Sequence, residues 1–329
     1  MIVCFGEIML RLSPPNNLRF AQASNLEMNF GGSESNVAVS LAQFGIASQY
    51  ISRVPANDLG HAALNGLKHH GVDVSAAVFG GERLGLYFLE SGAGRRGSKV
   101  IYDRANSGMA TLERGMIDWK TIFKNASWFH WSGITPAISQ CAADAIEEAL
   151  FIAQSLGVKI SCDLNYRANL WNYGKTPTDI MPNLTKYCDV LMGDGDAFKL
   201  FYGIDATETL TYLQAVAKHF QKLKIVAMTA RQGHSASHNT YQGFIFDTQS
   251  VYSSKVYDIP DILDRIGGGD AFMSGLIYGL TQNKNSQDVV EFATAAATLK
   301  HYVHGDMNLC SVAEVESLVS GNLGGRVKR

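Results

Sequence analysis

The chain is 329 residues long, 46% apolar and 18% charged, with a formal net charge of −2 at pH 7. That length leaves room for about two domains, or one large α/β domain with a substantial core. So even a charge balance excludes the electrostatic footprint of a nucleic-acid or membrane-surface protein, and leaves any anionic ligand to a few local arginines or lysines. The cysteines Cys4, Cys141, Cys162, Cys188 and Cys310 lie far apart, with no C-x-x-C pair. Most sit in apolar runs, the pattern of buried free thiols in a reducing compartment. No signal-like segment or long apolar span is present, so the expected location is cytoplasmic.

Residues 2–5 predict a short apolar strand, followed by residues 9–12 and a polar, proline-containing excursion through Phe20. Gly31-Gly32-Ser33-Glu34-Ser35-Asn36 opens a helix carrying Val37, Val39, Leu41, Ala42 and Phe44, closed by Gly45. A strand near 50–54, a helix over 58–70 and a strand near 72–78 continue a β-α-β-α alternation. Such alternation argues for a parallel sheet covered by helices on both faces.

The alternation breaks between Gly85 and Arg104, where residues 86–89 and 99–102 read as a hairpin. Its loop, Gly92-Ala93-Gly94-Arg95-Arg96-Gly97, spells G-x-G-x-x-G. A dinucleotide site needs a helix after that motif, and here a second strand follows, so the motif is set aside. The hairpin and the excursion at residues 10–30 predict a small β-layer standing off the main sheet, a shape suited to a lid. From Trp119 the alternation resumes, with strands near 128–131, 158–163, 190–192 and 224–229 and helices near 142–156, 178–187 and 209–221. Residues 243–246 and 250–257 predict an antiparallel pair. Helices over 271–281, 287–301 and 312–319 precede a basic tail, Gly325-Arg326-Val327-Lys328-Arg329.

The chemistry gathers at Asp264-Arg265-Ile266-Gly267-Gly268-Gly269-Asp270-Ala271-Phe272. Glycines let the backbone approach a ligand closely, and the unpaired N–H groups of a first helical turn make an anion site. A carboxylate there repels the anion, unless it serves to take the proton of a group attacking a phosphoryl. A Gly-rich turn whose aspartate only caps the helix accounts for the same residues locally.

Open parallel sheets bind ligands at the carboxyl ends of their strands. Asp163, Asn165 and Arg167 follow such a strand on one side of an extended segment. Arg167 there is either a reader of carboxylate or phosphate, or a surface arginine paired with a neighbouring acid. Tyr102 and Arg104 share a face at the end of the hairpin, as ligand contacts or as part of an ordinary salt bridge. Thr229-Ala230-Arg231-Gln232-Gly233 follows another strand, where it holds phosphates or simply turns the chain. The motifs G-x-x-x-x-G-K-[ST], H-E-x-x-H and G-x-S-x-G are absent, and the nine histidines show no metal-ligand spacing.

Together these patches resemble the ribokinase-like, phosphofructokinase-B family of sugar kinases along the whole chain from Ile2. Gly31-Gly32 with Asn36 is similar to the family's early glycine signature, and residues 264–272 to its late D-x-x-G-x-G-D-x-F signature. Residues 102–107, 163–167, 235–239, 304–309 and 325–327 are most similar to 2-keto-3-deoxygluconate kinases within it. The resemblance implies one three-layer α/β/α kinase domain over residues 1–329, with lid segments at about 10–30 and 85–104. It implies ATP-dependent, Mg²⁺-assisted phosphorylation of the 6-hydroxyl of 2-keto-3-deoxygluconate. Asp270 would be the general base, and the N–H groups of Gly267, Gly268 and Gly269 would stabilise the transferring phosphoryl group. Gly32, Asn36, Tyr87, Tyr102 and Asp306 would line the sugar site, with Arg104 and Arg167 reading the acid end and sugar oxygens. Asn165, Asp194, Thr229, Arg231, Gly233 and Ala296 would hold the nucleotide, Ala296 near the adenine.

Where relatives carry an N-x-x-E-like segment, this chain reads Gly193-Asp194-Gly195-Asp196-Ala197. Asp194 takes the asparagine position, Ala197 the acid position, and Asp196 offers a carboxylate one residue early, so the metal ligands are unassigned. A kinase of the same fold for fructose or an isomeric deoxyketogluconate, or a non-catalytic sugar- or nucleotide-binding regulator, fits the same features. A monovalent-cation requirement and a homo-oligomeric state are left open.

Overall fold

The computed structural model describes residues 1–322, so the basic tail lies outside the described residues. The chain begins with β1 (Ile2–Phe5), β2 (Met9–Ser13), β3 (Glu27–Gly31), α1 (Ser33–Gln43), β4 (Ser48–Ile51), β5 (Arg53–Val54) and α2 (Asp58–His69). It continues with β6 (Val78–Phe79), β7 (Gly85–Glu90), β8 (Lys99–Asp103), α3 (Trp119–Phe123), β9 (Trp128–Ser132), α4 (Ile134–Ile138) and α5 (Gln140–Ser155). Next are β10 (Lys159–Asp163), α6 (Pro177–Thr185), β11 (Val190–Met192), α7 (Gly195–Tyr202), α8 (Thr209–His219), β12 (Ile225–Ser235) and β13 (His238–Phe246). The last elements are β14 (Val251–Ser253), β15 (Tyr257–Ile259), α9 (Gly268–Thr281), α10 (Ser286–Lys300) and α11 (Val312–Val319).

The main sheet runs in the order β14-β13-β12-β11-β10-β9-β1-β4, with β15 also on β13. From β12 to β4 every pairing is parallel, and β13 turns the remaining edge antiparallel. Central β1 shows why its sequence reads as an unbroken apolar run. Ile2 and Cys4 enter the core beneath α1, α2, α9 and α10, while Val3 and Phe5 enter the core beneath α3 and α5 to α8. The result is a three-layer α/β/α sandwich. No helix among the described residues is long and apolar enough to cross a membrane.

A second sheet, β3-β2-β7-β8, stands apart from the first. It joins the excursion to the hairpin through a parallel pairing of β2 with β7, in which Arg11 sits opposite Tyr87. Its outer strand β8 leaves Val100 and Ile101 exposed.

Four expectations need correction. The strand expected near 50–54 is split at Ser52 into β4 and β5, which join different sheets. Residues 72–77 form no strand: Asp73 makes a single bridge to Gln49, and its carboxylate accepts the Ser75 N–H at 2.8 Å, turning the chain away. Residues 229–233 are not a loop after a strand but the middle of β12, because β13 returns after a tight turn and pairs Thr229 with Gly243 through Gly233 with Asn239. The segment after β10 is not extended either, since Asn165 adopts a left-handed φ of 38°.

Candidate active site

The carboxyl ends of the parallel strands open into a cavity of about 550 Å³ between the main sheet and the second sheet. The glycine turn forms one wall. Gly267 has φ +82°, and a Cβ there would lie 1.9 Å from the Asp306 carbonyl oxygen, so only glycine fits. It is the N-cap residue of α9, and among the described residues no side chain caps that helix. The N–H groups of the first turn are therefore free for an anion.

Asp270, in that first turn, faces α1 instead of capping its own helix. Ser33 Oγ donates to its Oδ1 and Asn36 Nδ2 to its Oδ2, each at 2.7 Å. The Gly32 N–H in turn donates to Asn36 Oδ1 at 3.4 Å, so the early and late glycine segments meet at one carboxylate. Burial raises the Asp270 pKa; the Asn36 and Ser33 bonds oppose the shift, and the Asp306 charge adds to it.

Two further carboxyls share that field. Burial, with Asp270 next, pushes Asp163 up to about 7, although the Asn165 N–H donates to its Oδ1 at 3.0 Å. Burial also pushes Glu34 up to about 7, against donors from Ser132 and Thr135. His301, whose ring lies under Gly268, is lowered to about 4 by burial and stays neutral.

The opposite wall comes from the second sheet. Arg104 is 6% exposed and pairs with Glu7, its Nε donating to Glu7 Oε2 at 2.7 Å, while its guanidinium stands 5.6 Å from the Tyr102 ring centre. Tyr87 donates its hydroxyl to Asp306, whose other oxygen takes Arg11 Nη1 at 2.8 Å. Arg167 is exposed, and among the described residues its one side-chain hydrogen bond reaches the neighbouring Tyr166 carbonyl at 3.2 Å.

The cavity brings together Gly32, Asn36, Tyr87, Tyr102, Arg104, Asn165, Arg167, Asp194, Thr229, Arg231, Gly267, Gly268, Gly269, Asp270 and Asp306. Two expected residues lie elsewhere. Ala296 is wholly buried among core side chains on α10, and Gly233 is exposed towards the far end of β12. Asp194 caps α7 through Ala197 N at 2.8 Å, and Asp196, next along, is exposed and does not line the cavity. Sequence reasoning left out Glu7, Ser33, Arg265 and His301, which also line it. Glu7 directly follows Gly6 at the end of β1, a strand-end signal that could have found it.

A glycine turn at a helix start, a buried carboxylate beside it and guanidiniums across the cavity, all at the carboxyl edge of a parallel sheet, are the layout of an α/β phosphotransferase. The chain belongs to the pfkB family of carbohydrate kinases, whose description matches residues 1–312. It is 32% identical to 2-dehydro-3-deoxygalactonokinase of Haloferax volcanii, covering 97% of this chain and 96% of that protein. It is 28% identical to 2-dehydro-3-deoxygluconokinase of Bacillus subtilis, covering 93% and 91%. The solved structure of 2-dehydro-3-deoxygluconokinase from Thermotoga maritima is similar at a TM-score of 0.93 and 40% identity, covering 97% and 99%.

Proposed function

We propose that this carbohydrate kinase transfers the γ-phosphoryl group of ATP to the 6-hydroxyl of 2-keto-3-deoxygluconate, also written 2-dehydro-3-deoxygluconate. The observation that carries the reading is Asp270, gripped by Ser33 and Asn36 at the mouth of an uncapped helix, in one cavity with Arg104 and Arg167. As the substrate oxygen forms its bond to phosphorus, its proton passes to the Asp270 carboxylate and the bond to the β-phosphate oxygen breaks, releasing ADP. The raised proton affinity of Asp270 suits it to that transfer. First-turn N–H groups at Gly268 and Gly269 take up charge on the transferring group. Arg167 reads the sugar acid's carboxylate, and the sheet of β2, β3, β7 and β8 acts as a lid of the single kinase domain, excluding competing water.

Bound Mg²⁺ neutralises phosphate charge in such reactions. Among the described residues no three His, Cys, Asp or Glu side chains converge as a metal cage. The carboxylates of Asp163 and Asp194 line the cavity and suit an ion carried mainly by phosphate oxygens and water. The galactonate epimer is the second reading, supported by the Haloferax volcanii relative. A coupled ADP-release assay over the two sugar acids, fructose and ribose tests both. Turnover with 2-keto-3-deoxygluconate well above the others is expected. Faster turnover of the epimer favours the second reading, a neutral sugar as best acceptor overturns the acid assignment, and no turnover with any sugar favours a non-catalytic binder.

A further inference from the structure

The sugar end and the phosphate end of the cavity are joined from behind by Arg11, which does not line the cavity itself. Arg11 lies on β2, opposite Tyr87 of β7 and Asn29 of β3, and is 4% exposed. Each of its three guanidinium nitrogens is engaged. Nε donates to Ser13 Oγ, Nη1 to Asp306 Oδ1 and Nη2 pairs with Asp264 Oδ2, each at 2.8 Å. A planar fork can hold two carboxylates from different segments at fixed angles, which a lysine ammonium cannot.

Each carboxylate leads to a different end of the cavity. Asp264 accepts the Ile266 N–H at 3.0 Å and the Gly305 N–H at 3.1 Å, so it shapes the chain entering Gly267 to Gly269. Asp306 accepts the Tyr87 hydroxyl and packs so tightly on Gly31 that a Cβ there would lie 2.4 Å from its Oδ2. Beside them Lys300, wholly buried, donates to the Val303 carbonyl at 3.0 Å and brings its Cε to 3.2 Å from where a Gly267 Cβ would be. Arg11 thus ties two buried carboxylates together, and displacing any of the three leaves a charge uncompensated.

We propose that Arg11 is a positioning residue that couples sugar-acid binding to the ordering of the phosphate-binding turn. The proposal rests on the reading of Tyr87 and Asp306 as part of the sugar site. A sugar hydroxyl held by Asp306 fixes that carboxylate, Arg11 fixes Asp264 with it, and the glycine turn is ordered once for both ligands. Sugar acid and nucleotide then bind with positive cooperativity.

The test is calorimetric titration of the non-hydrolysable analogue β,γ-imido-ATP with and without saturating 2-keto-3-deoxygluconate. It is run on the wild type, Arg11→Lys and Arg11→Met. The sugar acid is expected to tighten the wild-type nucleotide affinity by a factor in the roughly 5- to 150-fold range of site-to-site couplings. In both variants that factor should fall towards one while each ligand alone still binds. If the methionine variant does not fold, the lysine variant, which keeps the charge and loses the fork, carries the test. A purely structural role would lower the binding-competent fraction and leave the factor intact. That outcome, or a wild-type factor of one, overturns the proposal alone, whereas no sugar-acid binding by the wild type overturns the substrate reading and the proposal with it.

Discussion

At the glycine turn, the surface proposed to face a phosphate is made by one short run, Asp264 to Asp270. At the proposed sugar end, the wall is made by Glu7, Tyr87, Arg104 and Asp306, brought together from separate parts of the chain. The turn's conformation begins with a local feature, the left-handed φ of Gly267, which brings the chain against the Asp306 carbonyl oxygen. The sugar end is dictated by pairing partners, since Arg104 is placed by Glu7 and Asp306 by Tyr87 and Arg11. A local element should respond to substitution mainly through the chemical step, and an assembled one mainly through binding.

The largest expected effect belongs to the turn. Asp270→Asn keeps the size and shape of the side chain beside Ser33 and Asn36 but removes the proton acceptor, and should lower kcat by about 10²- to 10⁴-fold with little change in KM. Steady-state kinetics with either substrate varied would read this split, and near-wild-type turnover sinks the base assignment. Raised proton affinity at Asp270 also places an acid limb on the wild-type kcat/KM profile, with activity falling as pH drops and the carboxylate protonates.

Gly267→Ala is a harsher test of local dictation. Its Cβ would collide with the Asp306 carbonyl oxygen at 1.9 Å and hold an unfavourable φ of +82°. A turn displaced by an ångström costs on the order of 10²-fold in rate. Retained activity would mean that the turn does not place the phosphoryl group.

Arg167→Lys probes the assembled end. It keeps the charge and loses the fork, and should raise the sugar-acid KM and lower kcat/KM by roughly 10- to 100-fold, the loss of one hydrogen bond between charged groups. The ATP KM should hardly move. Equal changes in both KM values would place Arg167 at the phosphates instead.

This contrast also explains what the sequence disclosed. The glycine turn, the early Gly32–Asn36 segment and the strand-helix order were legible because each is set by short-range spacing. The family resemblance implied that both segments serve one site, but the bond from Asn36 to Asp270 was not foreseen, and its physical basis is the packing of α1 beside α9. The Arg104–Glu7 pair was not legible, because a strand-end arginine reads the same whether it faces a ligand or an acid on a remote strand. Arg11 was missed for the same reason: in Met-Leu-Arg-Leu-Ser its alternation marks a face, and only the parallel β2–β7 pairing shows that face to be buried. Thr229 to Gly233 was misread because nothing local announces that β13 will continue the ladder to Asn239.

The smallest effect is expected at Glu34, on the helix that carries Ser33 and Asn36 towards the turn. Its Oε1 accepts Ser132 N at 3.0 Å, Ser132 Oγ at 2.6 Å and Thr135 Oγ1 at 3.1 Å, while Oε2 is buried without a partner among the described residues. Burial raises its pKa to about 7, against about 4.3 for a glutamate in an unfolded chain. The folded protein therefore holds the extra proton between those values. The resulting stability is complete below the unfolded value and is lost as pH rises through about 7. Glu34→Gln removes this titration, so the Tm of the variant relative to wild type should climb by a few degrees between pH 5 and pH 8. Asp163, raised to the same range by burial and Asp270, should leave a residual slope in that variant. A difference that stays flat across the window would show that Glu34 is ionised throughout, held by the Ser132 and Thr135 donors against its burial.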